Sequence, residues 1–396
     1  MDFTTQIAKI LIKDGLINNR SVVCSPASID AVLRILAVGA KNSTLEELLR
    51  SLGHANLEEL NTAARELAGV LKGSEDEDRD GPVISYVNAL WLDQRFSLDN
   101  LFHKVLRDVH NAEARAVDFK NQADEVVKEV NSWAKEQTKG LIKQVLTRES
   151  IGNDTVLLLA NALYFKGTWE HKFYKKNTKV DEFNLLNGDK IQVPFMNQSY
   201  KHFNYGMFEE CQVLKMPYRS ATYVPQKWDR GSRHITTEFS MYIFLPNDIN
   251  GLPNLMENIK IDQNMFNDGR FKLDRVKLKR ISIPIFNLVS DLRLKGTMKQ
   301  LGLTLPFEAM NKDFSGIIDG SDPLYVNDVV HRCRVETNEH GTEAVGYSAY
   351  DVAYGCTPIV EEPPKIIFLA DHPFMFMIRE DFSGAILFIG SMLNPK

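Results

Sequence analysis

The apolar positions change their spacing partway along this chain. Over residues 3–14 they recur at helical intervals, with Phe3, Ile7, Ile10 and Leu11 on one face. Val22-Val23 then reads as a short strand, and Pro26 with Ser28 suits the start of a helix. That helix, Ile29 to Gly39, is apolar almost all round, as expected of an element buried on most sides. Ser43-Thr44-Leu45-Glu46 opens a second helix with a capping-box pattern, ending near Gly53. Residues 57–72 form a third amphipathic helix. After the acidic turn 74–82 and the strand-like ISYVNALWL, residues 123–144 form another, closed by Gly140. Thr155–Phe165 is a continuous apolar run, which suits a fully buried central strand. Asn161 sits in the middle of it and needs hydrogen-bond partners, because an unpaired buried amide is costly.

From there the pattern is mostly strands: VPFM, VLKMPY, FSMYIFLP and VKLKRISIPIF. Ser220–Glu238 is a polar insertion, read as a long hairpin loop. Residues 291–303 predict a helix, Leu324–Thr337 a long strand, and 366–393 a buried strand pair turned by Asp381–Gly384. Helices dominate the first third and strands the remainder, without βαβ period or repeat. That pattern predicts one α+β domain over residues 1–396.

Residues 341–365 fit none of these elements. A connection of that length is unusual in a compact domain unless it is functional or disordered. Tyr347, Tyr350, Tyr354 and Val352 argue against plain disorder. The stretch reads as an exposed loop able to become a strand.

Composition narrows the classes further. With 44% hydrophobic and 25% charged residues the chain is ordinary globular material, and a net charge of -5 gives no case for nucleic acid or an anionic membrane. No basic leader, cleavage site or apolar run of membrane length is read, so the expected place is cytoplasmic or nucleocytoplasmic, with an unconventional extracellular route left open. Cys24, Cys211, Cys333 and Cys356 lie far apart without metal-type spacing, so reduced thiols are the default.

No enzyme constellation appears: there is no GxSxG, GxxxxGK[ST], GxGxxG after a strand, or HExxH. His331 is read as a core histidine with satisfied hydrogen bonds rather than a catalytic base. Cys333 shares its face, but no third ligand is suggested, so neither metal nor cofactor is expected. Cys356 is read either as a reactive thiol or as a small residue in a loop.

Several separated stretches, in order and at near-matching spacing, resemble the serpin family. They are Ser25-Pro26-Ala27-Ser28-Ile29, GAKNSTLEELLRSL, Asn131 with Trp133, and Thr138-Lys139-Gly140-Leu141-Ile142. Asn161, Phe165-Lys166-Gly167 with Trp169, Met216-Pro217-Tyr218, Met241-Tyr242 with Leu245-Pro246, and Asp313-Phe314-Ser315-Gly316 continue the series. The strongest are Glu339-His340-Gly341-Thr342-Glu343-Ala344 and Ala370-Asp371-His372-Pro373-Phe374. FLADHPFMFMI resembles the plant subgroup most.

The resemblance implies a fold of about nine helices and three sheets, with 341–365 as a reactive-centre loop, and no enzymatic activity. It implies a suicide substrate of a serine endopeptidase: the loop is cut, then inserts as a strand into the large sheet. Ser25, Ser28, Asn161 and His331 match a polar cluster beneath the sheet's opening point. Trp169 matches the tryptophan at its top, and Glu339, Gly341, Thr342, Glu343 and Ala344 match the hinge. The implied reactive bond is Gly355–Cys356, with Tyr354–Gly355 as the alternative. No Arg or Lys lies between Gly341 and Lys365, so a chymotrypsin-like or cysteine protease is the expected partner rather than a trypsin-like one, and the inhibitor is expected to be a monomer. A non-inhibitory binding or carrier serpin is the other reading.

An inserting strand must send alternate side chains inward. One register buries Thr342, Ala344, Gly346, Ser348, Tyr350, Val352 and Tyr354, and leaves Glu343 and Asp351 outward. The opposite register would bury both acids.

Overall fold

The computed structural model describes residues 2–71, 82–137, 140, 143–152, 154–220, 238–320, 322–342 and 365–396. Among them are eight α-helices and seventeen strands in three sheets. The helices are α1 Phe3–Ile17, α2 Pro26–Gly39, α3 Asn42–Leu52, α4 Leu57–Leu71, α5 Asn100–His110, α6 Ala123–Gln137, α7 Leu252–Asn258 and α8 Lys295–Gln300.

The six-stranded sheet runs β12 (Phe286–Arg293), β13 (Val329–Asn338), β14 (Gly341–Thr342), β4 (Leu157–Thr168), β2 (Val83–Asp93) and β3 (Ala112–Val117). The seven-stranded sheet runs β1 (Val22–Cys24), β17 (Ile386–Met392), β16 (Phe374–Glu380), β9 (Phe239–Pro246), β8 (Cys211–Pro217), β7 (Lys201–Met207) and β10 (Asp274–Leu278). A four-stranded sheet runs β15 (Ile367–Leu369), β11 (Arg280–Pro284), β6 (Lys190–Gln198) and β5 (Lys179–Asn184).

The inner face of the six-stranded sheet carries Leu163, Phe165, Cys333 and Val335 into one core with Met216, Phe239 and Phe376 of the seven-stranded sheet. Its other face carries Trp91, Leu158, Ala160 and Val330 under α6, where Trp133 meets Trp91 edge-on at 5.2 Å. Residues of opposite parity therefore serve two cores, which is why β4 reads as one unbroken apolar run.

Several elements depart from the sequence reading. VKLKRISIPIF is not one strand: it divides into β10, β11 and the start of β12, one in each sheet. Residues 291–293 end strand β12 instead of opening a helix, and α8 begins only at Lys295. In β12 the burial alternates residue by residue from Phe286 to Arg293, a period of two that the helical reading overlooked. Leu324–Asp328 is not strand; β13 starts at Val329. Residues 366–379 split at Ala370–Pro373, so β15 and β16 belong to different sheets. Helix α6 stops at Gln137.

The α3 cap is also not local. Its N-cap position is Lys41, whose side chain makes no cap hydrogen bond and donates instead to the Ser315 carbonyl at 3.3 Å. Asp313 does the capping, accepting from the Thr44 amide at 3.1 Å and from the side chains of Asn42, Ser43 and Thr44. Burial pushes the Asp313 carboxyl up, but these bonds prevail and hold its pKa below the ordinary carboxylate range. Helix α5 had no counterpart in the sequence reading, although Phe102, Leu106 and His110, at intervals of four, form its buried face.

Candidate functional site

The site lies where β13 and β4 part. At their lower end they pair directly and in parallel, Val329 with Leu159, Val330 with Ala160 and His331 with Asn161. At the upper end β14 stands between them, antiparallel to both. Thr337 pairs with Thr342 and Asn338 with Gly341 on one side; Thr168 pairs with Gly341 and Gly167 with Thr342 on the other. Between these ends, among the described residues, nothing pairs with the facing edges of 332–336 and 162–166.

The short β14 is held by packing that leaves no spare room. Gly341 has φ +153°, and a Cβ there would collide with the carbonyl oxygen of Gly167. A Cβ on Gly167 would meet the Tyr218 ring at 2.5 Å. Two glycines thus let the backbones of β14 and β4 approach beneath an aromatic lid. The lid is Tyr218 stacked on Trp169, centroids 4.6 Å apart, with Phe165 edge-on to Tyr218 at 4.9 Å. The Tyr218 hydroxyl shares a 2.7 Å hydrogen bond with Thr342 Oγ1, and burial drives its pKa far above the ordinary value.

The turn from β13 into β14 is tied down separately. Trp169 Nε1–H donates to the Asn338 carbonyl at 2.9 Å, and the Trp169 amide donates to the His340 carbonyl. Glu339 is buried; its carboxylate accepts from Thr178 Oγ1 at 2.6 Å and its carbonyl from the Phe173 amide. Glu343, Ala344, Tyr354, Gly355 and Cys356, and the rest of the loop from 343 to 364, lie outside the described residues. So does 221–237, the body of the polar insertion.

Below the parting, the polar residues form two small groups rather than one. His331 Nε2 accepts from the Ser25 amide at 2.9 Å, so that nitrogen carries no proton and the Cys333 thiol, also at 2.9 Å, donates to it. Burial lowers the His331 pKa to about 4, so the ring is neutral. The Ser25 hydroxyl caps α2 by accepting from the Ser28 amide at 3.1 Å. Asn161, directly across the ladder from His331, turns instead to Asn88, donating to its side-chain oxygen at 2.6 Å. Asn88 passes the contact on to the His110 carbonyl at 3.1 Å. Sequence reasoning placed Cys333 on the face of His331 but missed their hydrogen bond, and it missed Asn88, Thr178 and the Tyr218–Thr342 bond. Asn88 carried the signal that Asn161 carried, a lone amide inside an apolar strand.

Comparison with known proteins places the fold. Residues 1–395 match the family model Serpin (serine protease inhibitor). The chain is 37% identical to Serpin-Z3 of Arabidopsis thaliana over 99% of its own length and 96% of that protein. It superposes on the native stressed conformation of AtSerpin1 from Arabidopsis with a TM-score of 0.83 and 33% identity, covering 100% of this chain and 99% of that one. Uncleaved ovalbumin, 23% identical with a TM-score of 0.80 over 100% of this chain and 98% of that one, speaks to the fold alone. The chain belongs to the serpin family, a family of protease inhibitors and not of enzymes. No helix among the described residues is long and apolar enough to cross a membrane.

Proposed function

We propose that this single-domain protein inhibits a protease as a suicide substrate. The protease cuts the loop 341–365, and the freed segment enters the six-stranded sheet from β14 downward. One observation carries this reading. Extending the β14 register along β13 puts residue 344 opposite Val335, 346 opposite Cys333 and 348 opposite His331. Extending it along β4 puts the same residues opposite Phe165, Leu163 and Asn161. The two ladders close on each other, because His331 and Asn161 are already cross-strand partners. A strand of residues 343–347 therefore continues both ladders with no register slip in either.

The face follows as well. Val335, Cys333, Phe165 and Leu163 point into the core shared with the seven-stranded sheet. Residues opposite them share their face, so Ala344 and Gly346 turn inward and Glu343 and Val345 outward. Going further means replacing the three pairs from Val329 to His331, which assigns Ser25, Asn88, Asn161 and His331 to the latch at the bottom of the opening. Glu339, Gly341, Thr342, Glu343 and Ala344 form the hinge and Trp169 closes the top. The reactive bond is Gly355–Cys356, or Tyr354–Gly355, and the target is chymotrypsin-like or a cysteine protease. The protein acts as a monomer, without cofactor.

The test is incubation with a panel of serine and cysteine proteases. The expected result is an SDS-stable covalent complex and a released C-terminal peptide whose mass identifies the bond. Cleavage within 343–364 with no complex would overturn inhibition.

A further inference from the structure

The loop rejoins the described structure at Lys365, and the surface at that point has an unusual composition. Ile366 accepts through its carbonyl from the Lys279 amide at 2.8 Å, and Ile367 pairs with Arg280. On the far side of Lys279 lies the turn between β6 and β7, where the Tyr200 amide donates to the Leu278 carbonyl at 3.0 Å. Lys201 pairs with Leu278 and His202 with Lys277. Three backbone ladders thus bring Tyr200, Lys201, His202, Lys279, Arg280 and Ile367 side by side.

Two features set this face apart from ordinary solvated surface. The first is charge. Lys201, His202, Lys279 and Arg280 are exposed, and among the described residues none of them makes an ion pair. Arg275, on β10, extends the strip and is likewise exposed and unpaired. The acid on β10, Asp274, lies 3.9 Å from Lys272, and among the described residues it makes no ion pair with Lys201, His202, Arg275, Lys279 or Arg280. The field reaches His171: burial holds its pKa below the ordinary value, Glu170 opposes this, and Lys201, Arg275 and His202 add to the depression. An overall charge of -5 makes such a basic strip a local feature.

The second feature is an exposed apolar anchor inside the strip. Tyr200 is 57% exposed and Ile367 is 42% exposed. Tyr200 also sits at φ +57°, in the left-handed region that a bulky side chain rarely occupies. Held strain of this sort collects at binding surfaces. An exposed aromatic with a basic rim is the composition of an interaction hot spot.

We propose that this face is an accessory docking surface for the target protease, and that it favours a protease carrying acidic side chains around the C-terminal side of its cleft. The inference rests on the reading of 341–365 as bait, because a protease bound to the loop must overhang the point where the chain re-enters the sheet at Lys365. Complementary charge next to a cleft raises association rates by about 10- to 1000-fold at low salt.

The experiment uses one active site with two surface charges. Chymotrypsin and papain are each prepared native and succinylated, which replaces surface ammonium groups with carboxylates. The second-order rate of loop cleavage is measured at low salt and in 0.5 M NaCl, and it reports on docking whether or not inhibition follows. The wild-type protein is cut about tenfold faster by the succinylated form at low salt, and the preference collapses in high salt. Combining Lys201→Glu, Lys279→Glu and Arg280→Glu reverses the preference. Combining Lys104→Glu, Lys120→Glu and Lys128→Glu, with the same net charge change on α5, α6 and the segment between them, leaves it intact. Lys279→Glu alone gives a partial effect if the triple variant fails to fold. Tyr200→Gly slows cleavage by both forms about fivefold without altering their ratio. Equal ratios for the two triple variants would overturn the docking surface and leave the bait reading standing. No cut within 343–364 by either protease would remove the bait, and with it the partner assigned to this face.

Discussion

The register that joins β14 to β13 and β4 makes a sharp demand on two adjacent residues. Ala344→Asp puts a carboxylate between Val335 and Phe165, which are 1% and 4% exposed. Val345→Asp puts the same group on the other face, between Arg334 and Tyr164, where the Arg334 side chain is 33% exposed and already pairs with Glu336 at 2.9 Å. Burying an unpaired carboxylate costs several kcal/mol even after relaxation, whereas an acid beside the half-buried Arg334 guanidinium has a cation in reach and changes the energy by about 1 kcal/mol. If about 3 kcal/mol of the first penalty is felt as the strand enters, insertion slows by about 100-fold. Hydrolysis of the acyl-enzyme, which the substitution does not touch, then overtakes it. The Ala344→Asp protein should be consumed as a substrate, with a stoichiometry of many inhibitors per protease and little SDS-stable complex. It should also show little rise in melting temperature after the loop is nicked. Val345→Asp should inhibit and gain stability like the wild type. Equal behaviour of the two variants, or the opposite order, would show that the inserting strand does not continue the β14 register.

Other parts of the site give separate expectations. Tyr218→Phe leaves Thr342 Oγ1 buried without its partner and should cost about 1–2 kcal/mol in chemical denaturation; no loss would mean that β14 is not anchored there. Gly341→Ala should release β14, since its Cβ meets the Gly167 carbonyl, and a changed Trp169 fluorescence would report it. His331 gives a pH dependence with a definite sign. Its folded pKa, about 4, lies below its ordinary 6.5. As pH falls the unfolded chain therefore takes up the proton first, so stability is full above about 6.5 and declines towards 4, by about 3 kcal/mol in all. His110, also lowered to about 4 by burial and then by Arg34 and Arg65, adds a decline of the same sign. Denaturation midpoints for His331→Gln should fall less between pH 7 and 5 than those of the wild type. Asp313→Ala removes the cap of α3 and should destabilise by about 1–2 kcal/mol.

The sequence by itself determined what depends on the local order of residues. The apolar run of β4 and the start of α2 near Pro26 both follow from side-chain spacing and intrinsic preference. So did the expectation that Asn161 has a partner, because a buried amide must have one. Tertiary structure decided where partners come from. Asn161 reaches Asn88, its cross-strand partner on β2, rather than His331, its partner on β13, and α3 is capped by Asp313, 269 positions from Thr44, instead of by its own first turn. It also decided which sheet each strand joins. VKLKRISIPIF supplies three sheets because three successive segments find edges made by distant parts of the chain. Strand β14 shows the division most clearly. Gly341 was legible as a family residue, but its physical reason lies in the close approach of Gly167 under Tyr218, a contact between segments about 170 residues apart that no local pattern encodes.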